Sequence, residues 1–236
     1  MLIAVDIGNS GIKFGKFDRE TIANGLFGEG PFARDFCLPT PKASFELPIA
    51  HATGEFDLKE FAEWCEANVS SNTHWSVGSV HRGAGAMLTN AISSWARQLG
   101  VEWPVRAIIY QDLPLRIQVD EPAKVGIDRL LAALAANRIR HDNRAAIVID
   151  LGTAITIDLL DVDGAFAGGA ILAGIGMAGR ALRDQTDALP RVVLGEPESA
   201  PSPIGKSTQA AIEAGLYWGT VGAVTELVAR ITARLS

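Results

Sequence analysis

The chain has 236 residues, 48% hydrophobic and 20% charged, with a formal net charge of −6. That is enough apolar material to offset the ordering entropy of one large domain or two small α/β lobes, which excludes a disordered chain. The acidic balance argues against sequence-independent nucleic-acid binding, which needs clustered Lys and Arg, and points to a small-molecule partner.

In chain order, residues 2–5 form an apolar run that meets Asp6 almost at once, unlike a signal peptide. The turn formers Gly8-Asn9-Ser10-Gly11 follow, and then a second strand-like segment over 12–17. Residues 27–54 carry scattered Pro and Gly without a sustained period and read as irregular surface structure. Apolar residues recurring at three and four predict amphipathic helices over 56–67 and 86–99. Cys37 and Cys65 show no CxxC spacing, so neither a zinc site nor a disulfide framework is suggested, and a reducing cytoplasm is the expected setting. His51, His74, His81 and His141 share no spacing and receive no role.

Asp128 precedes a run of strong helix formers, residues 129–136. Residues 145–149 are again an apolar run, ending at Asp150, with Gly152-Thr153-Ala154 and a strand-like segment over 155–160 behind it. Asp161-Val162-Asp163-Gly164 reads as a hairpin turn rather than a calcium loop, because the rest of that ligand pattern is missing. Residues 164–179 are uncharged and glycine-rich, too short for the roughly 20 apolar residues that span a bilayer, and read as a loop packed close to a ligand or backbone. A last helix is expected from an N-cap at Ser207 or Thr208, with a break near Gly219 or Gly222 and with Val224, Leu227, Val228, Ile231 and Leu235 as its buried face.

One unit therefore occurs twice: a carboxylate at the end of a strand, a glycine two residues later, then a small hydroxyl or amide side chain. In the first copy, Asp6, Ile7, Gly8, Asn9, Ser10, Gly11, Ile12 and Lys13 offer what nucleotide phosphates need. Glycines admit close backbone N–H groups, Asn9 and Ser10 donate hydrogen bonds, Lys13 supplies charge, and Asp6 can hold magnesium directly or through water. An ordinary hairpin turn would look the same in isolation; the second copy at Asp150 favours the phosphate reading. Gly205-Lys206-Ser207 is no P-loop, since Ala200 stands where that motif needs glycine.

Paired loops of this type resemble the superfamily of acetate and sugar kinases, actin and the heat-shock chaperone ATPases. Within it the chain is similar to type III pantothenate kinase, on Asp6-Ile7-Gly8-Asn9-Ser10, Gly126-Ile127-Asp128-Arg129, Asp150-Leu151-Gly152-Thr153-Ala154 and Gly168-Gly169-Ala170-Ile171, in that family's order and spacing. Thr186-Asp187-Ala188-Leu189-Pro190 adds to the likeness, whereas residues 18–115 match only loosely. The resemblance implies an α/β, two-lobed actin-like (ribonuclease H-like) kinase fold with duplicated mixed-sheet lobes, drawn here as 1–115 and 116–236, that clamps ATP between its hairpins.

It further implies phosphorylation of pantothenate to 4'-phosphopantothenate at the start of coenzyme A biosynthesis. The cofactors would be ATP, Mg2+ and a monovalent cation, K+ or NH4+, in a cytoplasmic homodimer with no nucleic-acid or membrane partner. Asp128 would be the catalytic base, which physics allows because the alcohol proton leaves late in a loose phosphoryl transfer. Gly126, Ile127, Asp128, Arg129 and Thr186 would bind substrate, with Arg129 pairing either pantothenate's carboxylate or a neighbouring acid. Thr153 would face the phosphates. Asp150 suits magnesium or potassium, and the resemblance favours potassium. Two positions depart from the family pattern: Val119 stands where many members have Tyr, and Ala173 where Pro is usual. The alternatives are another small-molecule kinase of the superfamily and a non-catalytic regulator; Asp6, Lys13, Asp128, Asp150 and Thr153 together favour catalysis.

Overall fold

Alternating apolar residues fold the first part of the chain into a sheet. The computed structural model describes residues 1–18, 20, 38–50, 52–192 and 200–235, so Cys37 and His51 lie outside the described residues. Strands β1 (Leu2–Ile7), β2 (Gly11–Phe17), β3 (Ala43–Pro48), β4 (His74–Ser79) and β5 (Val105–Ala107) form a five-stranded sheet in the order β3-β2-β1-β4-β5. It is mixed: β1 runs antiparallel to β2 and parallel to β4. The alternation is strict, with Ile3, Val5 and Ile7 of β1, Ile12 and Phe14 of β2 and Val77 of β4 all in the core.

That face is covered by α1 (Leu58–Asn68), which buries Phe61 and Cys65, and α2 (Arg82–Leu99), which buries Leu88 and Ile92. Each such aliphatic or aromatic side chain contributes about 1.5–3 kcal/mol when fully buried. Asp57 caps α1 by accepting from the backbone N–H groups of Lys59 and Glu60, at 2.8 and 3.1 Å. His81 caps α2 through Nδ1, which accepts from the Ala84 N–H at 3.3 Å. Burial pushes the Cys65 thiol pKa well up.

The opposite face carries α3 (Ile127–Ile139). Gly78 of β4 makes room for it: a Cβ there would stand 2.9 Å from Leu131 Cδ1 and 3.8 Å from Ile127 Cγ2. The chain accordingly divides into two compact units, Met1–Leu115 with Asp120–His141, and Arg116–Val119 with Asp142–Ser236. Helix α3, packed over Gly78, belongs to the first of these units.

In the second unit, β6 (Ala146–Leu151), β7 (Ala154–Leu160) and β8 (Phe166–Ala173) form a three-stranded sheet in that order, and α4 (Ile175–Asp184) and α5 (Thr208–Thr232) follow. Its strands are antiparallel throughout, so the expected second mixed sheet is not found among the described residues. Among the described residues of this unit, the parallel pairing is a bridge between Ile117 and Phe166. Val192, Ile212 and Leu216 form a small core with Ile175, Ala178 and Leu189.

Three other expectations need correction. Residues 43–48 are strand β3, because Ala43, Phe45 and Leu47 alternate inward against β2. Residues 164–179 are not a loop but β8 and the start of α4; close approach to backbone does hold, since a Cβ on Gly169 would collide with the Ile157 carbonyl. Helix α5 runs unbroken past Gly219 and Gly222, neither of which has an atom within 4 Å of a built Cβ, because flanking helix formers outweigh about 1 kcal/mol of glycine cost. Its buried residues are Ile212, Ala214 and Leu216, while Val224, Leu227, Val228 and Ile231 are half-buried and Leu235 is 43% exposed. Among the described residues no helix is long and apolar enough to cross a membrane.

Candidate functional site

The first hairpin places charge on the face away from its core. Ile7 pairs with Ile12 and both side chains are fully buried, so these two anchor the hairpin. Asp6 pairs with Lys13, one residue back on each strand, and both are exposed. The loop between them is closed by the Gly8 N–H donating to the Gly11 carbonyl at 2.9 Å and pinned by the Ile49 N–H donating to the Ser10 carbonyl at 3.1 Å. Asn9 and Ser10 are exposed at its tip.

Nothing in the fold requires glycine at position 8. It does not adopt a left-handed backbone, and a Cβ there would meet nothing nearer than the Gly11 carbonyl at 3.6 Å. The space above the loop is therefore open, as a phosphate group in contact with main-chain N–H groups requires.

Asp128 reaches the same face of this sheet. Asp6 lies beside Gly78 in the parallel pairing of β1 with β4, and Gly78 is where Ile127 and Leu131 of α3 pack. The first turn of α3 thus stands over the strand next to Asp6. Gly126 is the N-cap residue and offers no side-chain cap; Asp128, in the first turn, accepts the Arg129 N–H at 2.8 Å on Oδ1. A Cβ on Gly126 would collide with that carboxylate oxygen, so the glycine lets Asp128 fold back over the helix start. A carboxylate there also complements the helix dipole. Arg129 is half-buried.

The second hairpin repeats the plan with different chemistry. Gly152 N–H donates to the Ala154 carbonyl at 3.0 Å, and Asp150 pairs across the strands with Thr156, which is only 9% exposed. The exposed Asp150 carboxylate makes no hydrogen bond or ion pair among the described residues. Thr153 is half-buried at the tip, where its carbonyl accepts the Gly174 N–H at 3.1 Å. A Cβ on Gly174 would strike the Gly152 carbonyl and stand 2.5 Å from that of Thr153, a constraint hidden in the glycine-rich run.

Thr186 follows α4, is exposed, and donates to the Leu182 carbonyl at 2.7 Å. It lines a cavity of about 770 Å³ with Leu182, Leu189, Thr208 and Leu216. Val119 is half-buried, its Cγ1 3.4 Å from where a Gly168 Cβ would stand. The Asp161–Gly164 segment is the expected hairpin turn, with Asp161 Oδ1 accepting the Ala165 N–H at 2.8 Å and Arg116 paired to Asp163 at 3.3 Å. Gly78 was not legible as a site residue, since its role depends on which helix covers it.

No group of three or more His, Cys, Asp or Glu side chains among the described residues could hold a metal ion unaided. Exposed single carboxylates such as Asp6 and Asp150 suit hard cations that keep water or phosphate oxygens as their remaining ligands.

A family model described as type III pantothenate kinase matches residues 2–230. The type III pantothenate kinase of Acidiphilium cryptum is 43% identical over 141 residues, 58% of this chain and 51% of that protein. That of Paramagnetospirillum magneticum is 44% identical over 120 residues, 51% of this chain and 44% of the relative. The chain thus spans about half the length of these curated relatives. Against the type III pantothenate kinase of Geotalea uraniireducens the identity is 32% over 233 residues, 98% of this chain and 81% of the relative.

Proposed function

The chain belongs to the type III pantothenate kinase family, and on that premise we propose that it transfers the γ-phosphoryl group of ATP to the primary alcohol of pantothenate, giving 4'-phosphopantothenate for coenzyme A biosynthesis. The fold we assign is actin-like (ribonuclease H-like), with the two hairpins as its repeated phosphate-loop elements. The observation that carries this reading is the open space over Gly8 on the sheet face that also bears Asp6, Lys13 and the first turn of α3.

The residues divide the work as follows. Backbone N–H groups of the loop beyond Gly8, whose own N–H closes the turn on the Gly11 carbonyl, and the Lys13 ammonium hold phosphate oxygens, with Asn9 and Ser10 donating at the tip. Gly126, Ile127, Arg129 and Thr186 receive pantothenate, Arg129 through the acid's carboxylate. The alcohol oxygen forms a bond to the γ-phosphorus as the bond to the β–γ bridging oxygen breaks, and the alcohol's proton passes to Asp128.

Magnesium, with Asp6 as its protein ligand, neutralises charge on the phosphates when bound. Asp150 is the ligand we assign to potassium or ammonium, because its carboxylate faces a neutral residue across the strands and has no cationic partner among the described residues. Thr153 is assigned to the phosphates. A homodimer in the cytoplasm is the setting we propose.

An ATP-consumption assay over pantothenate and a panel of sugars, with and without potassium, tests the reading. Turnover with pantothenate that depends on potassium supports it; turnover with a sugar alone, or with no acceptor at all, overturns it.

A further inference from the structure

We propose that Tyr110 is a specificity-determining residue of the acceptor site: its ring walls the cavity beside the α3 N-terminus and its hydroxyl donates to a carbonyl or hydroxyl oxygen of the bound acceptor. This rests on the reading of the chain as a pantothenate kinase and adds a residue that none of the motifs contains.

The cavity has a volume of about 430 Å³ and is lined by Val125, Gly126 and Ile127 on one side, by Ile108 to Gln111 on the other, and by Ser79 and Val80. Small-molecule sites run from roughly 300 to 1,000 Å³, so an acceptor of a dozen or so heavy atoms fits. Gly126 joins this cavity to the chemistry, because the Asp128 carboxylate folds back over that glycine. An alcohol presented from the cavity therefore arrives beside the proposed base.

Most of the lining is aliphatic, which suits the branched carbon skeleton of pantothenate and leaves few groups to read its oxygens. The Ser79 hydroxyl is already committed, donating to the His81 carbonyl at 3.1 Å and accepting the His81 N–H at 3.2 Å. Tyr110 and Gln111 are the remaining polar side chains of the lining, and neither makes a side-chain hydrogen bond among the described residues. Gln111 is exposed, whereas Tyr110 is half-buried and so has a more restricted position.

The turn that carries Tyr110 is fixed at both ends. Before it, the Ile108 N–H donates to the Val77 carbonyl of β4 at 2.8 Å. After it, Asp112 accepts the Ile109 N–H at 3.0 Å on one oxygen and pairs with the Arg106 guanidinium at 2.5 Å on the other. Those two contacts hold the Asp112 carboxyl below the usual carboxylate range. A pinned aromatic ring with a spare hydroxyl is a rigid donor with little side-chain freedom to lose on binding.

The test compares the full-length wild type with Tyr110→Phe, which keeps the ring, and Tyr110→Trp, which enlarges it into the cavity. Removing one donor should raise the KM for pantothenate, and its Kd by titration calorimetry, about 3- to 10-fold. The KM for ATP and the thermal midpoint should hold, and kcat should change far less than KM. Tyr110→Trp should weaken pantothenate at least as much. If the wild type phosphorylates pantothenate and both variants match it in KM and Kd, Tyr110 has no such role and only this proposal fails. If the wild type neither binds nor phosphorylates pantothenate, the kinase reading fails and this proposal with it. A variant that loses ATP and pantothenate binding together, with a lowered melting point, shows that Tyr110 serves the fold and overturns the proposal.

Discussion

The hairpins β1–β2 and β6–β7 share a plan and differ in what stands opposite the carboxylate. Each ends its first strand near an exposed aspartate and closes its loop with a glycine N–H donating to a main-chain carbonyl, at 2.9 Å in the first and 3.0 Å in the second. Across from Asp6 is Lys13; across from Asp150 is the nearly buried, neutral Thr156. The first hairpin carries a lysine opposite its carboxylate, and the second sets its carboxylate opposite a neutral side chain, with no ion pair among the described residues. Their tips differ too, since the first lies open above Gly8 while the second is pressed by Gly174. One backbone design thus serves two electrostatic tasks.

The comparison can be tested by substitutions of decreasing effect. The largest concerns the unit of the first hairpin, where the base should lie: Asp128→Asn should lower kcat about 10²- to 10⁴-fold with an unchanged melting point. ATP binding should survive, and a loss below tenfold would leave Asp128 only a positioning or helix-start role. Next, Lys13→Ala should reduce kcat/KM for ATP about 10- to 150-fold, the scale of a charged hydrogen bond worth about 1.5–3 kcal/mol. Unchanged ATP kinetics would remove the asymmetry between the hairpins.

For the second hairpin, replacing potassium by tetramethylammonium at constant ionic strength should cost about tenfold or more in turnover, equivalent to at least about 1.4 kcal/mol. Full turnover in the organic cation would show that Asp150 needs no metal partner. The smallest effects come from methyl groups. Gly8→Ala should raise the KM for ATP about 3- to 10-fold with stability unchanged, because the methyl enters ligand space and meets protein only in ordinary contact with the Gly11 carbonyl at 3.6 Å. Gly174→Ala should instead lower stability by about 1–3 kcal/mol in denaturant titrations, because its methyl meets backbone that cannot turn aside. If Gly8→Ala unfolds as readily as Gly174→Ala, the first tip is not the open one.

Much of both hairpins was legible because their signals are local: an apolar run, a carboxylate, then glycine with turn formers. Helices α1 and α3 were legible from periodicity and composition for the same reason. Strand β3 was missed although Ala43, Phe45 and Leu47 alternate, because Pro39, Pro41 and Pro48 around them read as loop. The start of α2 at Arg82 was missed because a histidine caps it and Gly83 and Gly85 weaken the helix signal. What no local pattern carries is which elements pack together. That Gly78 opens a seat for Leu131, that α3 joins the first unit, and that Tyr110 borders the cavity at Gly126 all depend on contacts between distant segments.

The burial of Cys65 gives the first unit a readout of its own. Only a thiolate reacts appreciably with alkylating reagents, and this thiol is fully enclosed among Phe61, Trp75 and the strands of the first sheet, with its ionisation opposed by that burial. In a Cys37→Ser background, the rate at which iodoacetamide labels Cys65 therefore measures how often the first unit opens, because no other sulfhydryl is left in the chain. Labelling slowed by ATP would report the nucleotide's grip on that unit alone, as a protection factor read by mass spectrometry without any turnover.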